Sequence, residues 1–126
     1  MRMVGPINSG AAVGGNGVAT ANYTSTLPMC GVVYGFYVRY NDSPPAGTTD
    51  VTIASAGTNM PAITYLTITN GATDGLFLVR KPVVDAANAA IASLSIAEAM
   101  PIDDYLKVTI AQANAADSAD VWVFLE

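Results

Sequence analysis

Histidine is absent from the 126-residue chain, and cysteine occurs once, as Cys30. A disulfide framework needs paired cysteines, and the common zinc sites draw on His and clustered Cys, so both are excluded. A serine nucleophile has no imidazole to take its proton, and no G-x-S-x-G elbow occurs. Cys30 lies between Met29 and Gly31 at the head of an apolar run. It is expected to be a small buried hydrophobe rather than a reactive thiol.

Charge is also scarce. Only 12% of residues are charged, five basic against ten acidic, for a net charge of −5. An ordinary domain carries about 25%, and a surface this poor in charge suits coverage by another molecule. The basic residues Arg2, Arg39, Arg80, Lys81 and Lys107 are scattered apart from one doublet. With no basic stripe to neutralise phosphates, nucleic acid is excluded as an expected partner. The doublet Arg80-Lys81 reads as a solvated strand end, with an anion site as the alternative.

No apolar run approaches the roughly 18 residues of a membrane span, and the start MRMVGPINSG has no apolar h-region. The expectation is a protein made in a cytoplasm, without a membrane partner. Asn22-Tyr23-Thr24 and Asn41-Asp42-Ser43 fit the glycosylation triplet, but without a secretion signal they read as chance matches.

What is present is β patterning. The length fits one domain, burying roughly two-thirds of the surface of its unfolded chain. Residues 5–17, GPINSGAAVGGNG, have many glycines and no period, so residues 1–17 are expected to be a flexible arm ahead of a domain over 18–126. GAAVGGNG lacks the GK[ST] ending of a phosphate loop. Residues 18–27 suggest a solvated or edge strand. In GVVYGFYVRY (31–40), Val32, Tyr34, Phe36, Val38 and Tyr40 alternate with Val33, Gly35, Tyr37 and Arg39, which predicts a strand with the first set inward. Exposed, Tyr34, Phe36 and Tyr40 would stack on a sugar; beside valines at alternate positions they read as core.

NDSPPAG (41–47) breaks the ladder. TDVTIAS (49–55) follows with Val51 and Ile53 inward. AITYLTIT (62–69) and LFLVR (76–80), joined by NGATDG, predict a hairpin. Residues 82–101, bracketed by Pro82 and Pro101, read as a loop, with a short helix as the alternative. In the last third Leu106, Val108 and Ile110 point one way, and after a polar turn Val121, Val123 and Leu125 do the same, opposite Trp122 and Phe124. About seven short strands between turn clusters predict an all-β, antiparallel single domain, a β-sandwich or jelly-roll-like barrel.

Adjacent Asp103 and Asp104 invite an acid/base reading, but neighbours in an extended chain point to opposite faces and cannot share one substrate. Asp is favoured at a turn into a strand, where its carboxylate bonds local amides. Asp42, Asp50, Asp74, Asp117 and Asp120 likewise lie in or beside predicted turns, with no Asp-x-Asp spacing for calcium. No catalytic residue, cofactor or metal is expected, and the chain reads as a non-enzyme.

The order of a glycine-rich arm, GVVYGFYVRYNDSPPAGTTDVTI, YLTITNGATDGLFLVR and IDDYLKVTIAQANAADSADVWVFLE resembles capsid decoration, or cement, proteins of tailed bacteriophages. The resemblance runs from about Tyr34 onward and is weakest over 82–101. It implies a structural virion protein, made in the host bacterial cytoplasm, that binds the outside of the major capsid protein shell as a homo-oligomer, dimer or trimer. Arg2, Val4, Pro6, Ile7 and Val13 of the arm, with Arg80 and Lys81, are the expected partner contacts. Two alternatives stay open. One is a carbohydrate- or receptor-binding β module of a tail fibre or spike, and the other is a small hydrolase using Asp103 or Asp104.

Overall fold

The computed structural model describes residues 1–41, 45–82, 87 and 97–126. Among them there is no helix. The strands are β1 (Arg2–Asn8), β2 (Ala19–Thr24), β3 (Met29–Tyr40), β4 (Asp50–Ser55), β5 (Thr64–Ile68), β6 (Gly75–Leu78), β7 (Lys81–Pro82), β8 (Ala97–Glu98), β9 (Met100–Asp104), β10 (Leu106–Ala113) and β11 (Ala119–Leu125). The first sheet runs β1-β11-β3-β6, with β9 also paired to β3. The second runs β2-β10-β4-β5, and β7 and β8 form a two-residue ladder. All pairings are antiparallel, and the two main sheets pack as the expected β-sandwich.

Period two explains the packing. Val51 and Ile53 of β4, Leu106, Val108 and Ile110 of β10, and Val121, Val123 and Leu125 of β11 are all fully buried, each on the face its alternation indicates. Each such side chain contributes about 1.5–3 kcal/mol on leaving water. Phe36 and Val38 fill the core from β3, and the Phe36 ring lies 6.2 Å from that of Tyr65.

Four expectations are corrected. The stretch read as part of a flexible arm forms β1 over Arg2–Asn8, because its glycine-poor start carries Val4 and Ile7 at positions that pair with β11 and face the core. On β3 the inward set changes phase. Phe124 faces Gly35 while Leu125 faces Val33, so a bulge at Tyr34 turns Val33 inward and leaves Val32 exposed. Cys30, on the outward side before that bulge, is exposed rather than buried. Finally, β5 and β6 do not form a hairpin: β5 pairs with β4 and β6 with β3, so residues 69–74 cross between sheets. The loop or helix expected over 82–101 falls, for residues 83–86 and 88–96, outside the described residues, as does Asp42.

Gly35 shows why glycine stands where β6 approaches. A Cβ at this position would lie 2.6 Å from the Phe77 carbonyl oxygen, inside any tolerable contact.

Candidate interaction face

The two outer faces of the sandwich differ in chemistry. On the second sheet the register sets Asn22, Thr109, Thr52 and Thr67 in one row across all four strands, a hydroxyl and amide surface. On the first sheet the outward rows are apolar. One runs Met3, Phe124, Gly35, Leu78, and the next runs Trp122, Tyr37, Leu76. Met3 is 60% exposed, Leu76 56% and Leu78 68%. Trp122 and Tyr37 meet edge-on with centroids 6.0 Å apart.

A polar row borders this surface. Asp120 accepts from Asn8 Nδ2 at 2.8 Å and from Arg39 Nη2 at 2.9 Å, and the Arg39 guanidinium stands 4.9 Å from the Trp122 ring centroid. Partial burial would raise the Asp120 pKa, but the Asn8 and Arg39 donors outweigh it and hold the carboxyl below its ordinary value. Acid and base on this face therefore neutralise each other.

The residues expected to contact a partner are dispersed. Ile7 is buried in the core and Val4 half-buried against it, which commits both side chains to the fold. Pro6 is exposed on β1. Arg2 donates to the Cys30 carbonyl at 3.0 Å. Val13 is 78% exposed and bridges to Thr20 beside the second sheet. Arg80 lies over the Tyr34 ring at 4.6 Å, and Lys81 faces Glu98 in the β7–β8 ladder. Sequence reasoning missed Met3, Leu76 and Leu78 as surface residues. Strand alternation could have flagged the two leucines only if the partner of β6 had been known.

The aspartates act on backbone. Asp103 is exposed and Asp104 buried on opposite sides of β9, as alternation requires. Asp104 accepts four amides: Gly57 and Thr58 on Oδ2 at 2.7 and 3.0 Å, Asn59 and Tyr105 on Oδ1 at 3.2 and 2.8 Å. Burial acts to raise its pKa, and the amides of Tyr105, Asn59, Gly57 and Thr58 together overcome that and lower it. Asp50 accepts from the Asn70 amide, Asp74 from Tyr40, and Asp117 from Asn114. Each carboxylate fastens a turn or a strand end. Among the described residues no three His, Cys, Asp or Glu side chains converge on a metal position.

Comparison of the chain with protein-family models, with curated proteins and with solved structures returned no match.

Proposed function

We propose that this chain is a structural protein of a tailed-bacteriophage virion, a decoration protein that binds the outside of the major capsid protein shell and stabilises it. The observation that carries this reading is the outer face of the first sheet. Met3, Leu76 and Leu78 stand exposed around Trp122, Tyr37 and Phe124 in adjoining rows. Contiguous exposed apolar surface with a polar rim marks protein–protein contact, and aromatic residues dominate such contacts energetically. The resemblance of the strand segments to decoration proteins supplies the kind of partner. The net charge of −5 suits a shell exterior and disfavours the packed DNA. Stabilisation follows from mass action, since a ligand that prefers the assembled shell shifts the equilibrium toward assembly, copy by copy. The chain acts without catalysis in this reading.

A second reading rests on the same face. Trp122 and Tyr37 beside the hydrogen-bonded Asn8, Asp120 and Arg39 row combine aromatic rings with planar polar groups, a pairing suited to sugars in a tail-fibre or spike module. Arg39 already covers one face of the Trp122 ring, which favours the first reading. Co-sedimentation with expanded capsids lacking the protein tests the first reading, and a glycan array tests the second.

A further inference from the structure

We infer that the open edge of β2 accepts an extended, uncharged segment of a partner protein, which pairs antiparallel with residues 22–24 and lays alternate side chains into the groove beside them. β2 is an edge strand, with β10 as its strand neighbour in the second sheet. Ser25 donates its amide to the Leu106 carbonyl at the start of β10, so Tyr23 and Ala21, in phase with it, turn their backbone groups the same way. Thr20, Asn22 and Thr24 are in the opposite phase and turn theirs outward. At Thr20 the outward groups are taken by Val13, which exchanges both backbone bonds with it at 2.9 and 3.1 Å. On the β1 side of Val13 the chain leaves this edge. Asn22 and Thr24 are exposed, and among the described residues no backbone group meets their outward amides and carbonyls.

Sheet edges are ordinarily blunted by proline, charge or a bulge. β1, across the groove, has Pro6 and a register break, whereas the β2 sequence ATANYT has neither proline nor charge. The groove between the two strands measures about 590 Å³, and no charged residue lines it. An added strand continues the pleat, so its residue opposite Tyr23 points the way Tyr23 does, into the groove among Val4, Ile7 and Leu27. Its residues opposite Asn22 and Thr24 point outward, in line with the hydroxyl and amide row of the second sheet. The unpaired edge requires a backbone that donates and accepts at every second residue, as Val13 already does at Thr20. The uncharged lining selects against charge on the residues between, because a buried charge would find no partner there. The edge of β2 lies apart from the outer face of the first sheet, so this pairing holds or fails independently of capsid binding.

The test titrates the full-length, isotope-labelled protein with the capped pentapeptide acetyl-Val-Thr-Val-Thr-Val-amide and follows backbone amide resonances by NMR. Pairing predicts saturable shifts of the Asn22 and Thr24 amides, with Tyr23 and Leu27 of the groove moving alongside. The same peptide N-methylated at both threonines cannot donate to the edge and is expected to bind at least about tenfold more weakly. Asn22→Pro removes an outward amide that the β10 ladder does not use, so the variant is expected to fold and to bind the unmodified peptide at least about tenfold more weakly. Should that variant fail to fold, the comparison of the two peptides on the unaltered chain still decides. No shift with the unmodified peptide, equal binding by the N-methylated one, or shifts confined to β5, the other edge of this sheet, would overturn the inference.

Discussion

Asp104 and Gly57 sit 47 positions apart, yet the carboxylate takes the Gly57 amide at 2.7 Å. The Thr58, Asn59 and Tyr105 amides complete the set. The segment after β4 is thereby fixed to the junction of β9 and β10, which ties the two sheets together at one end. Asp104→Asn removes the charge and turns an NH2 toward amides that need an acceptor. It is expected to lower the melting temperature by roughly 5–15 °C. Asp103→Asn, on the exposed side, leaves it within about 2 °C. Thermal unfolding followed by circular dichroism separates the two.

The same carboxylate sets an acid limit. Asp104 and Asp120 both have folded pKa values below the ordinary one. Their contribution is complete above the unfolded-state value of about 4. It falls away as the pH drops through the folded-state values, because the unfolded chain then binds more protons. Denaturant midpoints are expected to be level from neutral pH down to about 5 and to decline below about 4, less steeply in Asp104→Asn.

Gly35→Ala tests the close approach of β6. A methyl group 2.6 Å from the Phe77 carbonyl forces β3 and β6 apart, at an expected cost of about 2–4 kcal/mol in chemical denaturation. Gly47→Ala, with open space at its Cβ, is the matched control and changes stability by less than about 0.5 kcal/mol.

Two buried tyrosines give opposite outcomes. The Tyr40 hydroxyl has no hydrogen-bond partner among the described residues, whereas that of Tyr65 donates to the Pro101 carbonyl at 2.7 Å. Tyr40→Phe is expected to be neutral or stabilising by up to about 1 kcal/mol, and Tyr65→Phe to cost about 1 kcal/mol. Urea unfolding of both variants checks the contrast.

These residues show where sequence was informative and where it stopped. In β10 and β11 alternation of apolar side chains named the large core residues Leu106, Val108 and Ile110 and Val121, Val123 and Leu125, but missed the buried Ala119 and Ala113, the latter lying beyond a register shift after Ile110. On β3 the same rule failed at Val32 and Tyr34, since one extra residue inverts the facing of everything beyond it. The NGATDG segment marked a reversal but could not say which sheet the chain would join, so β6 and its exposed leucines went unplaced. Nothing local marks Ser9 or Ser25 as buried acceptors for the Ala119 and Leu106 amides. Their partners lie 110 and 81 positions away and are brought near only by the finished sandwich. The candidate face was illegible for the same reason, being assembled from four strands far apart in sequence.

The measurement that tests the functional reading most directly is co-sedimentation of the purified protein with expanded phage capsids that lack it. Wild type is compared with Leu76→Asp/Leu78→Asp, which alters only exposed positions on β6. Saturable binding with a raised capsid melting temperature is expected for wild type. The variant should fold normally yet bind at least about a hundredfold more weakly, the loss of roughly 3 kcal/mol that a central contact carries. Absence of wild-type binding, or full binding by the variant, would contradict docking through this face.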